Sequence, residues 1–178
     1  MESFQLESDA GRQYLIRIEE VSDFRQELTR TLIEIDLQTF SESTFSHYTA
    51  AAFLRSGRVF LLRADDAVIG TCVCIRSWER PADVLLLSMG IRPGWRGRGL
   101  GQRFVEGVLG KLRLRGMRSV TLLLSKGNRR AARVYTEVGF ELVDELPEDP
   151  LTGESLYVMR CKLRDEASLT ELPLTPRR

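Results

Sequence analysis

A glycine-rich basic loop between two strongly periodic segments constrains the fold of this chain more than any other feature. Residues 84–91, just before the loop, form a nearly continuous apolar run, which is typical of a strand buried on both faces. Residues 94–101 contain four glycines and two arginines. Behind them an apolar residue recurs every fourth position, which predicts an amphipathic helix through Leu100, Phe104, Val108 and Leu112. We therefore expect a strand, a tight loop and a helix in that order.

The loop has the properties of an anion site. Glycines allow successive main-chain N–H groups to face one point, and the start of the helix adds partial positive charge there. Without Cβ atoms, a diphosphate can approach the main chain closely. Two side chains add full positive charges. The residues of this predicted cradle are Arg96, Gly97, Arg98, Gly99, Leu100 and Gly101.

Two common nucleotide-binding motifs are excluded by single residues. A P-loop needs a lysine and then a hydroxyl residue after its second glycine, where Leu100 and Gly101 stand. A dinucleotide-binding fingerprint needs a glycine at the position of Gln102, and an acidic residue about twenty positions later, where none stands. The phosphate group that this loop meets must therefore belong to another kind of ligand.

The charge distribution also indicates an anionic ligand. The formal net charge is only +1, yet residues 92–133 hold 12 Lys or Arg and a single acidic residue, Glu106. The rest of the chain carries an excess of ten acidic residues, including Glu34, Asp36 and Glu42, which suits a cationic acceptor. Nucleic acid, a phosphorylated cofactor and acidic lipid are the candidate anions for the basic segment.

Periodicity along the chain predicts one α/β domain over residues 13–164. The predicted order is β-α-α-β-β-β-α-β-α-β-β, which gives a mixed central sheet of about seven strands flanked by about four helices. Residues 1–12 and the proline-containing tail 165–178 are expected to be flexible. Neither a secretory signal nor a run long enough to span a bilayer is visible, so we expect a cytoplasmic protein with no membrane partner.

The cysteines and the single histidine predict neither a disulfide framework nor a metal site. Cys72 and Cys74 lie on the same face of one predicted strand, and Cys161 is remote in sequence. His47 and these thiols have no spacing typical of zinc ligands. Buried, reduced thiols are the expected state.

A second constellation opens the next predicted helix. At about 100° per residue, four side chains share one face of this helix: Asn128, Ala131, Ala132 and Tyr135. The small alanines leave a groove beside the helix, and Tyr135 places a phenol at its inner end. Taken alone, this pattern also fits an ordinary core tyrosine on a short helix.

Together the two segments resemble the GNAT superfamily, the acyl-CoA-dependent N-acetyltransferases. The family signature [QR]-x-x-G-x-[GA] after the fourth strand is met by Arg96, Gly99 and Gly101. The later pattern N-x-x-A-x-x-x-Y-x-x-x-G-F is met by Asn128, Ala131, Tyr135, Gly139 and Phe140. The resemblance covers roughly residues 58–163, and the predicted element order agrees with the family fold.

The resemblance implies that acetyl-CoA is the cosubstrate and that no metal is needed. Its diphosphate would lie on the main-chain amides of residues 97–101. Its pantetheine arm would run along the predicted fourth strand, near Met89 and Ile91, with Asn128 beside it. Arg98, Arg129 and Arg130 are candidates for the 3′-phosphate. The residues expected to bind the cofactor are therefore Met89, Ile91, Arg96, Gly97, Arg98, Gly99, Leu100, Gly101, Asn128 and Tyr135.

The resemblance also implies a reaction. A primary amine, on a small molecule, a peptide or a protein, would attack the thioester directly and form a tetrahedral intermediate. A main-chain N–H near Met89 would polarise the carbonyl, and Tyr135 would give a proton to the departing sulfur. Many family members carry a glutamate on the fourth strand as the base, but this chain reads Leu86, Leu87, Ser88 and Met89 there.

The missing carboxylate leaves the base open. Ser88 is a candidate for ordering a water, and Glu42, His47 and Glu79 belong to segments expected to flank the acceptor cleft. A catalytically silent CoA-binding regulator is therefore an alternative function. A nucleic-acid-binding module that uses residues 92–133 with Trp95 as a stacking platform is disfavoured, because aromatic residues do not interleave with the basic ones. A monomer and a homodimer are both compatible with the sequence.

Overall fold

The computed structural model describes residues 3–7, 11–21, 25–40, 45–151 and 153–164. Eight strands are present: β1 (Ser3–Glu7), β2 (Gln13–Glu20), β3 (Arg58–Ala64), β4 (Ala67–Arg76), β5 (Asp83–Ile91), β6 (Ser119–Ser125), β7 (Glu141–Leu146) and β8 (Leu156–Lys162). The helices are α1 (Gln26–Thr39), α2 (His47–Ser56), α3 (Leu100–Leu114) and α4 (Arg129–Glu137). A single 3-10 turn, Pro93–Trp95, lies between β5 and α3.

All eight strands form one mixed sheet in the order β1-β2-β3-β4-β5-β6-β8-β7. Neighbouring strands are antiparallel except β5 and β6, which are parallel and are connected through α3. A parallel pair requires a long crossover, and the periodic segment after the glycine loop provides it. The predicted α/β class, with a mixed sheet and four helices, is confirmed.

The strand count is eight instead of about seven because residues 3–7 form β1. These residues fall in the segment expected to be flexible, yet they pair antiparallel with β2 in register Ser3↔Arg17 to Glu7↔Gln13. Phe4 and Leu6 pack against the core, while the alternate residues of β1 are exposed. A five-residue strand with two apolar side chains is too short for its alternation of apolar and polar residues to be recognised in the sequence. The tail over residues 165–178 lies outside the described residues.

The helices cover the two faces of the sheet unequally. On one face α3 and α4 bury a large core that includes Phe60, Phe104 and Phe140. On the other face α1 packs on β4 and β5, and α2 packs on β3 and β4. Leu123 of β6 lies beyond these helices and is 48% exposed. The second face is therefore covered only over its first half.

The cysteines behave as predicted. All three are free and buried, and Sγ of Cys72 lies 3.9 Å from Sγ of Cys74 on the same face of β4. Within the ranges given above, no three His, Cys, Asp or Glu side chains cluster as metal ligands. None of the described helices is long and apolar enough to cross a bilayer.

β5 and β6 separate halfway along their length. Their pairing runs from Asp83↔Ser119 to Leu86↔Leu122 and is not continued beyond that pair in the described sheet. On its other side β5 stays paired with β4, and a register shift between Val73 and Cys74 leaves Leu87 of β5 as the extra, unpaired residue of a bulge. The expectation that residues 84–91 are buried on both faces is wrong at Leu87, which is 39% exposed. Leu87 is the residue of β5 that has no partner in β4, so it departs from the regular alternation of the strand and is exposed.

Candidate active site

The turn that leads from β5 into α3 is an open main-chain cradle. Gly97 and Gly99 adopt left-handed conformations, with φ of 81° and 71°. A Cβ atom added at Gly97, Gly99 or Gly101 would meet no other atom within 4 Å, so the space beside this main chain is free. Gly99 precedes the first residue of α3 and provides no side-chain cap. The first N–H groups of a helix have no partner within it, so these donors face the open space.

The guanidinium group of Arg96 stabilises this turn through two hydrogen bonds. Its Nε donates to the carbonyl oxygen of Ile91 at 2.7 Å, and its Nη2 donates to that of Gln38 at 2.6 Å. These bonds tie the loop to the end of β5 and to the last turn of α1. The predicted contact of Arg96 with a cofactor therefore concerns its main chain, since its side chain already binds two carbonyl groups.

Arg98 lies on the other side of the same turn. Its guanidinium carbon is 5.9 Å from the ring centre of Trp95, and that ring packs edge-on against Tyr14 at 4.8 Å. Arg98 is half-buried and stands beside the open cradle. A positive charge at this position can meet an anionic group bound at the loop.

The gap between β5 and β6 begins where their pairing ends. Met89 pairs with Cys72 of β4, and Ile91 pairs with Gly70, so one edge of β5 stays bonded to the sheet. The opposite edge carries no ladder to β6 beyond Leu86 in the described residues. Main-chain groups along such an edge can pair with an extended ligand as with another strand. The predicted cofactor residues Met89 and Ile91 thus lie on the strand that borders this gap.

Asn128 and Tyr135 lie at opposite ends of α4. The side-chain oxygen of Asn128 accepts a hydrogen bond from the N–H of Ala131 at 3.1 Å and caps the helix. Its side-chain NH₂ group can therefore still act as a donor. Arg129 and Arg130 follow it and are both exposed.

Tyr135 is the one buried residue of α4 and reaches the core between the sheet and α3. Its ring packs edge-on against Phe140 with centres 5.3 Å apart, and it is 7% exposed. Burial raises the pKa of the Tyr135 hydroxyl above its ordinary value, and the nearby thiols of Cys72 and Cys74 raise it further. The phenol is therefore protonated at neutral pH. A protonated hydroxyl here can donate a hydrogen bond to a group placed in the gap.

A buried carboxylate stands on the opposite side of β5. Asp36, in the last turns of α1, is only 2% exposed, and its Oδ1 accepts a hydrogen bond from Oγ of Ser88 at 3.4 Å. In the sequence, Asp36 is one of the acidic residues that suit a cationic acceptor. Its spacing of four residues from Leu32 and eight from Leu28 placed it on the buried stripe of α1, and this was the signal that it faces inward.

The other acids and bases that the sequence offered as candidates are not placed beside the Ser88–Asp36 pair in the described residues. His47 begins α2 and is exposed, and Glu79 lies exposed in the turn after β4, where Oγ of Ser77 donates to it at 3.5 Å. Glu42 lies outside the described residues. The structure therefore brings together the loop, β5, Tyr135 and the Ser88–Asp36 pair.

Part of the basic segment has an internal structural role. Arg92 donates to Glu34 at 3.1 Å and to Gln38 at 3.2 Å, linking β5 to α1. Arg115 at the end of α3 pairs with Glu20 at 2.8 Å. The two opposed charge blocks of the sequence thus neutralise each other in part.

Comparison with known proteins identifies the family. Residues 21–140, about two thirds of the chain, match the family model described as acetyltransferase (GNAT) family. No curated protein matches the chain by sequence. Many solved structures share the fold at low sequence identity.

Three of these structures illustrate the range of similar proteins. The ribosomal-protein-S18-alanine N-acetyltransferase from Escherichia coli has a TM-score of 0.72 and 16% identity, over 83% of this chain and 94% of that chain. A spermidine N-acetyltransferase chimera from Vibrio cholerae SpeG and hSSAT has a TM-score of 0.70 and 14% identity, over 83% and 95%. The NatC complex bound to Gag peptide and CoA has a TM-score of 0.69 and 16% identity, over 84% and 99%.

These likenesses establish the fold, and the family match covers the loop, the separated strands and α4 together. The motif residues Arg96, Gly99, Asn128 and Tyr135 all lie within the matched range. The chain therefore belongs to the GNAT family of acetyltransferases and is an acyltransferase.

Proposed function

We propose that this chain transfers an acetyl group from acetyl-CoA to a primary amine. The observation that carries the proposal is the position of the gap between β5 and β6, which opens at Leu86 and Leu122 and leads to the cradle at the start of α3. An extended thiol arm fits such a gap, and a diphosphate fits such a cradle. The amine would attack the thioester carbonyl directly, through a tetrahedral intermediate.

The residues present fit acetyl-CoA. The open space beside Gly97, Gly99 and Gly101 and the free N–H groups of the first turn of α3 suit a diphosphate. Arg98 stands beside this space and is our candidate for the 3′-phosphate, with Arg129 and Arg130 as alternatives. Asn128 retains a donor toward the arm. Acetyl-CoA supplies the activated acetyl thioester; the chain supplies its orientation and the proton transfers.

Two groups of the chain are proposed to stabilise developing charge. A main-chain N–H near Met89 would donate to the carbonyl oxygen as it becomes an oxyanion. Tyr135 would donate to the departing sulfur. Because an ordinary thiol has a pKa near 8.5 and that of Tyr135 is raised above the ordinary phenol value, complete proton transfer from Tyr135 is uphill. We therefore assign Tyr135 to hold the thiolate by a hydrogen bond.

The acceptor is proposed as a primary amine on a small molecule or a peptide. Two of the similar structures carry names that specify a protein alanine and spermidine, so both classes occur on this fold. We also propose a cytoplasmic location, which the three free thiols support because reducing compartments keep cysteines unpaired.

Two other functions remain as outcomes of the test. A CoA-binding regulator without activity is motivated by the lack of a carboxylate on β5 between Leu86 and Met89. A nucleic-acid-binding role is disfavoured because the Trp95 ring already contacts Tyr14 and Arg98.

The test is a thermal-shift titration followed by an amine panel. CoA and acetyl-CoA should each raise the unfolding midpoint, since a ligand that binds only the folded chain stabilises it. Acetyl-CoA with a panel of alkylamines, polyamines and peptides should then release free thiol only with particular amines. A midpoint shift without amine-dependent thiol release would favour the regulator, and retention on heparin at saturating CoA would favour nucleic acid. No shift with either ligand would refute the proposal.

A further inference from the structure

We propose that Ser88 and Asp36 together accept the proton that the acceptor amine must lose. This inference rests on the proposed function and adds the base that the sequence of β5 lacks. Oγ of Ser88 donates to Oδ1 of Asp36 at 3.4 Å. Such contacts are often long in the absence of ligand and shorten when the site is filled.

The position of Ser88 suits contact with the amine. It lies two residues beyond Leu86, the last residue of β5 that pairs with β6, so it borders the gap assigned to the acyl donor. Ser88 is half-buried on the face toward α1, and its neighbour Leu87, the unpaired residue of the bulge, is 39% exposed. An amine can therefore approach Ser88 from the open part of this face, whereas Tyr135 packs within the core of the opposite face.

Asp36 is buried behind Ser88. It lies on the face of α1 that packs on β4 and β5 and is 2% exposed. A buried carboxylate is costly unless it is hydrogen-bonded, and the Ser88 hydroxyl at the gap is one donor to Asp36. Because it is withdrawn from solvent, Asp36 acts through Ser88 and not by touching the amine.

The chemistry requires such an acceptor. An alkylamine with a pKa of about 10.4 is protonated at neutral pH in all but roughly one molecule in 2,500. In the proposed step an ammonium N–H bond breaks and its proton moves to Oγ of Ser88, while the Ser88 hydroxyl proton passes to Oδ1 of Asp36. A neutral amine, an unchanged serine and a neutral carboxyl group result.

The remaining protons balance as follows. The amine lone pair forms the C–N bond at the acetyl carbonyl carbon, the C–S bond breaks, and a second proton from the nitrogen goes to the sulfur. Asp36 then releases its proton to water. The products are an amide, a free thiol and one proton.

The charged groups around the pair come from three elements. Arg92 after β5 is bound to Glu34 and Gln38 of α1 and to the carbonyl of Val68. Arg96 is bound to two carbonyl groups. His47 on α2 is exposed, and β4 presents apolar Val73 opposite Ser88. Both arginines thus have partners other than Asp36, and neither is replaced in the test.

The test compares Asp36→Asn and Ser88→Ala with a matched pair elsewhere. Oγ of Ser119 donates to Oδ1 of Asp83 at 3.0 Å at the far end of β5, where the strands are paired. With an alkylamine acceptor found in the panel above, each site variant should lower kcat/KM at pH 7 by about 10²-fold. Ser119→Ala and Asp83→Asn should change it less than about 3-fold. The CoA-induced midpoint shift should be unchanged in all four variants.

Two further readouts separate a proton role from a structural one. The activity of Asp36→Asn should rise about tenfold per pH unit from pH 7 to 9, as solvent deprotonates the amine, while the wild type rises much less. Some acceptors in the same panel, such as an arylamine or a hydrazide, are weakly basic and already neutral at pH 7. With these acceptors the loss of kcat/KM in the site variants should shrink to a few-fold. Ser88→Thr should retain more activity than Ser88→Ala.

The outcomes distinguish this inference from the proposed function. If the wild type acetylates no amine, both fail. Suppose that the wild type is active. If Ser88→Ala loses activity equally toward strongly and weakly basic amines, or keeps its activity toward both, only the Ser88–Asp36 assignment is overturned. Where Asp36→Asn does not fold, Ser88→Ala decides, because replacing a half-buried hydroxyl leaves the strand intact.

Discussion

Leu86 of β5 pairs with Leu122 of β6, and this is the last pair that the two strands form in the described sheet. Both side chains are buried in the core beneath α3 and α4. One residue further, Leu87 is 39% exposed. The separation of the strands therefore occurs within one residue, and it places the open edge of β5 between Tyr135 on one face and the Ser88–Asp36 pair on the other.

Replacing Tyr135 by Phe should lower turnover and leave CoA binding nearly unchanged. The substitution removes one hydroxyl and keeps the ring that packs on Phe140. We expect kcat to fall about 10²-fold, the usual range for one lost proton-transfer or hydrogen-bonding group, and the CoA dissociation constant to change less than about 3-fold. Steady-state kinetics and a CoA titration measure the two effects.

The control for this variant is Tyr157→Phe on β8, which removes a phenol that packs beside Lys126 outside the gap. It should retain wild-type turnover. Full turnover in Tyr135→Phe would remove Tyr135 from the reaction.

Replacing Arg98 by Glu should weaken CoA much more than dephospho-CoA. Arg98 stands on Trp95 at the edge of the cradle, where a 3′-phosphate would meet its charge. Isothermal titration should show a loss of at least about tenfold for CoA, and a loss several-fold smaller for the ligand that lacks this phosphate. Arg133→Glu makes the same charge change on the outer face of α4, where Arg133 pairs with Glu137 at 3.7 Å. Equal losses of both ligands in Arg98→Glu would refute this role.

Much of the fold was predictable because long helices and strands show a clear periodicity of apolar residues in the sequence. The four-residue spacing from Leu100 to Leu112 predicted α3, and the observed helix begins at Leu100 as expected. Asn128, which the sequence places at the opening of the next helix, caps α4 through its side chain. Gly139 of the same motif follows that helix with φ of 96°. β1 was missed because its pairing with β2, rather than its own sequence, makes it a strand.

The candidate site was only partly predictable. Local motifs identified the loop and Tyr135, since each depends on residues close in sequence. The Ser88–Asp36 contact joins residues 52 positions apart and depends on how α1 packs on β5. The exposure of Leu87 likewise follows from the register of β5 against β4, which leaves this residue unpaired. Neither feature has a local sequence signal apart from the position of Asp36 on the apolar stripe of α1.

Gly90→Ala should destabilise the chain by pushing α1 away from β5. A Cβ atom at Gly90 would clash with Oγ1 of Thr39 and lie 3.0 Å from Cγ2 of Ile35. Because Thr39 is β-branched and its hydroxyl donates to the Ile35 carbonyl at 2.7 Å, it cannot turn aside freely. We expect a loss of about 1–3 kcal/mol in urea unfolding.

Two further variants test whether the clash with Thr39 causes the loss of stability in Gly90→Ala. Thr39→Ala in the Gly90→Ala background removes the clashing oxygen and should restore part of the stability, which a double-mutant cycle measures. Gly94→Ala, where a Cβ meets no other atom within 4 Å, should stay within about 0.5 kcal/mol of the wild type. Additive losses in the double variant would contradict the close approach of α1 and β5.

Gly99→Ala should weaken both folding and CoA binding, while Gly116→Ala should weaken folding alone. The two glycines share the left-handed conformation, with φ of 71° and 80°, and a Cβ at either meets no other atom within 4 Å. Each alanine should therefore cost about 1–2 kcal/mol of strain.

Gly99, however, sets the direction of the first N–H groups of α3, whereas Gly116 only ends that helix. Urea unfolding should give similar losses for both, and a CoA titration should show a loss of roughly tenfold or more only for Gly99→Ala. Gly101→Ala supplies the opposite control for folding: its φ is not left-handed, so alanine should stabilise the first turn of α3 by up to about 1 kcal/mol. Equal CoA affinity in Gly99→Ala and Gly116→Ala would show that the main chain at the start of α3 does not hold the diphosphate.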